Sequence, residues 1–403
     1  MNTELLAPAG DYERLQTAIA YGADAVYISG KDFGMRAFAG NFDDATLYDS
    51  VRYAHEHNKK VYVTVNIFAK NSDIEGLKSH LKYLSDIGVD AIIVADPAVI
   101  LLAKEYAPNV PLHLSTQANV TNWQSAIFWY EQGISRIVLA RELSLAEIIE
   151  IRNNTPTDLE LEVFVHGAMC LSYSGRCYLS HYMSDRSANR GECAQPCRWS
   201  YSLVESMREG EYFPIEGDDR GTYILNSKDL CLLPYLKELK DAGVCSLKIE
   251  GRMKTCYYVA TITSTYRREL DKIELSDYEY SESAMDEIVK ASHRPFTSGF
   301  LFGDSESNQR YDSTKYIQNY DFIGLYLDYD ESLGLALIEQ RNHFKVGDVL
   351  EVMQPGEEFF LFTVEEIMNE EGEGMSVAPH AQQRLYLPKL KKLKPFSMLR
   401  RKS

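Results

Sequence analysis

Four cysteines crowd the stretch from 170 to 197: Cys170 and Cys177 in "CLSYSGRC", Cys193 and Cys197 in "CAQPC". Thiolates are ligands for soft metals, and clustered thiols in a chain without export features point to metal or redox chemistry rather than disulfides. Only the second pair has the tight spacing of a structural zinc knuckle. An iron–sulfur cluster takes four thiolates at less regular spacing and fits the quartet better, with zinc and incidental buried thiols as the alternatives. Cys231, in "NSKDLCLL", is an alternate fourth ligand, while Cys245 and Cys256 read as core residues. A second polar set falls at the ends of predicted strands: Asn66, Asp96, Gln117, Arg141, His166, Glu250 and Arg252. His166 and Glu250 are candidate acid–base groups, and Arg141 and Arg252 suit bidentate binding of a carboxylate or phosphate. Arg36, in the loop "GMRAFAGNF", would lie over a substrate together with two phenylalanines. Each of these alone reads equally well as a loop residue with a local hydrogen bond, so their joint placement carries the weight.

That placement depends on the elements between them. Eight short apolar runs read as strands: 4–10, 24–30, 59–68, 90–96, 112–117, 136–142, 161–168 and 245–251. Most are followed by segments with apolar residues at helical spacing. Gly22, Gly88, Gly133 and Gly243 each stand just before a strand, where glycine relieves the left-handed backbone that ends a helix. Eight buried strands alternating with helices predict a parallel α/β, TIM-like (β/α)8 barrel over residues 1–273. A doubly wound sheet is the alternative, lowered because no Gly-x-Gly-x-x-Gly follows the first strand. The connection after the seventh strand, residues 171–226, is far longer than an ordinary βα loop and carries the thiols on the barrel's C-terminal face, where barrel enzymes do their chemistry. Residues 274–315 read as a helical connector. Residues 316–403 alternate as short strands joined by Gly- and Asp-containing turns, which predicts a small antiparallel β-barrel domain.

The chain has 403 residues, 45% of them hydrophobic, and a formal net charge of −17, which argues against broad nonspecific binding to nucleic acid. The closing "AQQRLYLPKLKKLKPFSMLRRKS" nevertheless holds no acidic residue, and reads either as a solvated basic tail or as a footprint for an RNA backbone. The N-terminus lacks the basic and apolar regions of a signal peptide, and no apolar run reaches bilayer-spanning length, so a soluble, cytoplasmic protein with no membrane partner is expected. Neither a Gly-x-Ser-x-Gly elbow nor a His-Glu-x-x-His helix is present. A protease would have to rely on a cysteine nucleophile with His166, yet four neighbouring thiols look more like a ligand set.

The segment "EVFVHGAMCLSYSGRCYLS", from Glu162 to Ser180, resembles the signature of peptidase family U32. The resemblance extends over nearly the whole chain, through "LLAPAGD", "LSTQANVTN", "GECAQPCRW", "LNSKDLC", "SLKIEGRMK" and, near the end, "SVAPHAQQ". The family takes its name from a collagenase-like peptidase activity. Its better-understood branches, which this chain resembles more, carry out oxygen-independent hydroxylation of RNA bases or of ubiquinone precursors. The C-terminal β-domain and "CRW" favour the tRNA-hydroxylating branch. The resemblance implies a [4Fe–4S] cluster held by Cys170, Cys177, Cys193 and Cys197, the last preferred to Cys231. It implies formation of 5-hydroxyuridine at the wobble position, with the tRNA anticodon region as partner and prephenate as co-substrate. It also implies two alternatives: a collagenase-like peptidase, and a non-catalytic subunit working with a paralogous U32 protein.

Overall fold

The computed structural model describes residues 3–34, 41–169, 177, 179–186, 188, 192–196, 199, 202–203, 213–214, 226–275, 278–303, 309–310 and 316–403. Eight parallel strands close on themselves: β1 (Glu4–Pro8), β2 (Ala25–Ile28), β3 (Lys60–Val65), β4 (Ala91–Val94), β5 (Leu112–Leu114), β6 (Ile134–Val138), β7 (Glu160–Ala168) and β8 (Ser246–Ile249). Strand β8 pairs with β7 on one side and β1 on the other, which completes the expected barrel. Helices α1 (Tyr12–Ala20), α2 (Asp44–Glu56), α3 (Ile74–Asp86), α4 (Pro97–Tyr106), α5 (Trp123–Glu131) and α6 (Leu145–Asn153) alternate with the first seven strands. Their starts are set by sequence: Asp11, Asp43, Asp96, Asn122 and Ser144 each accept a first-turn N–H through the side chain. All four predicted helix-stop glycines have positive φ, from +74° at Gly88 to +101° at Gly22. The run 112–117 leaves strand geometry after Leu114, because the Ser115 hydroxyl accepts the Gln117 N–H and starts the turn Thr116–Ala118.

The barrel interior is charged in its N-terminal half. Arg136 bonds Glu4, Glu160 and Glu162, and the Lys248 ammonium lies 2.7 Å from Glu162. Tyr62 and Ser246 donate to Glu4, and Lys248 sits over the rings of Tyr27 and Phe164 at 4.6 and 5.4 Å. A charged layer this deep is tolerable only because each member is paired and hydrogen-bonded.

Strand β7 is the exception among the barrel strands. It runs for nine residues, and its last three pair antiparallel with the short strand Asp229–Cys231, which in turn pairs with Phe296–Thr297. Between Lys248 and Ile249 the β7–β8 register skips one residue, from Phe164 to His166. Since successive strand side chains face opposite ways, this bulge reverses the facing of everything after it.

The C-terminal residues form an eight-stranded antiparallel sheet, with Tyr320–Asp330 and Leu335–Gln340 at its centre. It is the small antiparallel β-domain expected, in the form of a half-barrel. Its outer strands, Phe360–Thr363 and Gly374–Met375, do not pair with each other, the latter being only two residues long. The basic stretch is no tail. Arg384–Pro388 and Met398–Lys402 are strands of this sheet, and Arg400 is fully buried. An apolar junction joins sheet and barrel through Leu325, Met353 and Met398 against Tyr21, Tyr257 and Ala260. No helix among the described residues is long and apolar enough to cross a membrane.

Candidate active site

The C-terminal ends of the strands bring together most of the polar residues singled out in the sequence. Asn66 follows β3, and its Nδ2 donates to Gln117 Oε1 at 2.6 Å while Gln117 Nε2 returns a 2.9 Å bond to the Asn66 carbonyl. Ser115 also donates to Gln117 Oε1, so this buried amide is fixed in one orientation across β4. Arg252, past β8, reaches back over the mouth: its guanidinium donates to Thr64 Oγ1 at 3.2 Å and Asn41 Oδ1 at 3.3 Å. Arg141, past β6, donates to the Ala168 carbonyl at 2.9 Å and lies 4.9 Å above the Phe164 ring. Glu250 lies opposite, with Tyr27 donating to its carboxylate at 3.3 Å and to the Ile249 carbonyl at 3.0 Å. The floor beneath Arg141 and Glu250 is therefore continuous, running from Phe164 through Lys248 to Tyr27.

Two of the expected mouth residues have other roles. Asp96 caps α4, accepting N–H bonds from Ala98 and Ala69. His166 is turned away from the mouth by the β7 bulge and packs among Tyr258, Tyr266 and Phe296, with ring centroids 5.5–6.0 Å away. Tyr266 donates its proton to the Val165 carbonyl, so its oxygen accepts from His166 Nδ1 at 3.3 Å. Burial, with Lys254 and His293 adding their charge, lowers the imidazole pKa to about 3. Such a ring is a neutral packing group and does not fit the acid–base role expected of it. The sequence places His166 at the mouth as a strand-end residue, and the bulge turns it away.

Among the expected thiol ligands, Cys177 and Cys193 are half-buried and free of disulfides. The Ser180 hydroxyl, on the helix Leu179–Ser184 that follows Cys177, accepts the N–H of Ala194 at 3.0 Å, which ties the segment of Cys193 to that of Cys177. Cys170, Cys197 and Arg36 lie outside the described residues. Cys231 faces the other way, with Tyr266 and Met285 each 3.8 Å from its sulfur, and burial pushes its thiol up to about 11. That environment holds a neutral thiol and disfavours the thiolate a metal needs, against its place as alternate ligand. Tyr27, Thr64 and Lys248 were missed in the sequence. The signal was available for Lys248: a single cation between apolar neighbours in "SLKI" points into a closed barrel.

The chain is similar to known proteins over nearly its whole length. The model of peptidase family U32 matches residues 10–311, and that of the peptidase family U32 C-terminal domain matches residues 318–400. The tRNA hydroxylation protein P1 of Bacillus subtilis is 41% identical over 99% of this chain and 94% of its own length. The tRNA hydroxylation protein P of Escherichia coli is 37% identical, covering 96% of this chain and 93% of its own. A collagenase of Porphyromonas gingivalis is 32% identical over 99% of this chain and 97% of its own.

Proposed function

This chain belongs to peptidase family U32 in both its barrel and its C-terminal sheet, and from that membership we propose that it is an RNA-modifying enzyme that hydroxylates the wobble uridine of tRNA to 5-hydroxyuridine. The observation that carries this reading is the near full-length likeness, at 41% and 37% identity, to two relatives named for tRNA hydroxylation. The reaction is oxygen-independent and prephenate-linked in this reading. Cys170, Cys177, Cys193 and Cys197 would hold a [4Fe–4S] cluster above the mouth. The free, half-buried thiols of Cys177 and Cys193, on segments joined through Ser180 and Ala194, fit that use. When bound, the cluster supplies one-electron chemistry.

The protein's own groups do the positioning. Arg141 and Arg252 are held from behind by a carbonyl, a hydroxyl and an amide, so their forks are set before a ligand arrives. Two guanidiniums at one mouth suit the carboxylates of a small dianion such as prephenate. The Asn66–Gln117 pair presents fixed amide edges to a flipped pyrimidine, and Glu250, whose carboxylate accepts from Tyr27 of the floor, is the acid–base group of this reading. A peptidase finds less support, since His166 is buried and neutral and Cys231 is packed away from the mouth.

The test is a strain carrying Cys177→Ala. Both the visible absorbance of the purified protein and the 5-hydroxyuridine of its tRNA should vanish; unchanged nucleoside levels defeat the reading. Thiol-dependent cleavage of gelatin by wild-type protein would favour the collagenase-like alternative. A second U32 chain that co-purifies and restores turnover would make this one the subunit of a pair.

A further inference from the structure

The closing basic stretch is where an RNA backbone would be sought first, and the structure removes most of it. Lys389 pairs with Glu365, Lys392 with Glu331 and Lys394 with Glu357. Arg400 is buried against Glu287 and Glu351, and Arg401 is held by Asp348 and Asp321. Cations already neutralised by neighbouring carboxylates release few counterions to a phosphate chain. An acidic protein that acts on RNA must gather positive charge elsewhere.

The loop after β8 supplies it. Lys254 is half-buried, and its ammonium contacts the Ser292 carbonyl at 3.4 Å and the rings of Tyr316 and Tyr258 at 4.1 and 5.1 Å. Among the described residues no carboxylate lies within ion-pair reach of it. The loop is held by hydrogen bonds on both sides of the lysine: the Lys254 N–H donates to the Gly251 carbonyl at 2.8 Å, Arg14 donates to the Lys254 carbonyl at 2.6 Å, and Thr255 caps the helix Cys256–Ile273. Tyr316 is fixed from the protein side by the buried Arg294, 4.7 Å from its ring, yet keeps 40% of its surface exposed. Met253, next to Lys254, is 54% exposed. Lys254 lies two residues after Arg252 and four after Glu250 in the loop that leaves the last barrel strand, which puts this patch on the C-terminal face with the mouth.

We infer that Met253, Lys254 and Tyr316 form a docking subsite for the RNA backbone beside the barrel mouth, where Lys254 meets a phosphate and Tyr316 and Met253 cover the flanking nucleotide. This rests on the reading of the protein as a tRNA hydroxylase. An aromatic and an apolar side chain around one cation that no described carboxylate pairs with is the pattern by which single-stranded nucleic acid is held without reading its sequence.

The experiment measures binding of an unmodified tRNA transcript with uridine at the wobble position across a salt series, using the full-length holoprotein. Lys254→Gln should reduce the slope of log affinity against log salt by roughly 0.7 to 0.9, the share of one phosphate contact. Lys254→Arg, which keeps the charge, and Lys392→Gln, which removes a cation already paired with Glu331, should retain the wild-type slope. Tyr316→Leu should weaken binding with the slope unchanged. An unchanged slope in Lys254→Gln overturns the inference, as does loss of slope in Lys254→Arg. If Lys254→Gln instead abolishes competition by a polyglutamate peptide and leaves tRNA binding intact, the patch belongs to a protein partner and the inference falls. Wild-type protein that neither binds nor modifies tRNA refutes the functional reading itself; wild-type binding with an insensitive Lys254 refutes only the subsite.

Discussion

His166 was marked for chemistry by its type and its place in an apolar strand, but its surroundings make it a titration liability instead. Folding holds the ring neutral with a pKa of about 3, against an ordinary value near 6.5 in the unfolded chain. Below the ordinary value the unfolded state therefore binds more protons than the folded one. The stability this group contributes is complete above about pH 6.5 and is lost progressively as pH falls toward 3. Replacing His166 with Phe should make the acid limb of stability shallower, and urea unfolding at about pH 7 and about pH 4.5 measures it. An equal loss in both proteins would mean the ring is not held neutral. Arg252 gives the converse case, a side chain whose type was informative. Its fork spans Thr64 and Asn41, a reach that a lysine ammonium does not reproduce. Arg252→Lys should lower the rate of uridine modification by about tenfold or more, the equivalent of one charged hydrogen bond, as read by nucleoside analysis of tRNA from a complemented strain.

At the level of elements, β7 shows what a sequence pattern can and cannot carry. Its apolar character and length were legible, as were the helix-stop glycines, because each of these depends on residues near one another in the chain. The bulge was not, since it depends on pairing with β8 and on the strand Asp229–Cys231 arriving from far along the chain. For the same reason the mouth was legible as a set of strand ends, while the partners that aim each side chain, such as Thr64 for Arg252 and Tyr27 for Glu250, were not. Gly167 marks where the bulge meets the site. It has φ +106°, and a Cβ there would stand 2.5 Å from the Glu250 carbonyl oxygen. Gly167→Ala thus demands a conformation an alanine resists and pushes on the backbone of Glu250. It should destabilise the protein by about 1–3 kcal/mol, from the backbone term, measured by urea denaturation. Uridine modification should fall further than the stability loss explains.

Across the whole molecule, the two domains are joined by a charged cluster whose Arg400 belongs to the closing basic stretch, which by sequence reads as a solvated tail or an RNA footprint. Arg400, on a strand of the C-terminal sheet, is fully buried and bonds Glu287 of the helix Ser283–Ile288 and Glu351 of the sheet, with Lys290 touching both carboxylates. This helix leads through Arg294 to Phe296–Thr297, the strand that supports Asp229–Cys231 and hence the end of β7. The sheet thereby helps to hold the scaffold of the site. Burial by itself would raise the carboxyl of Glu287, but Arg400 and Lys290 outweigh it and keep its pKa below the ordinary value. Arg400→Met leaves the buried carboxylate of Glu287 and the half-buried one of Glu351 with only Lys290 between them, and should cost about 3–5 kcal/mol near pH 7, as for other broken buried pairs. The sign of its pH dependence is diagnostic. In the wild type the lowered pKa contributes stability above the ordinary carboxylate range that is lost on acidification. In the variant burial prevails, the folded state takes up a proton more readily than the unfolded one, and stability rises as pH falls. The gap between the two proteins should therefore narrow from about pH 7 to about pH 5 in urea melts. A gap that stays constant would show that Arg400 acts through packing alone.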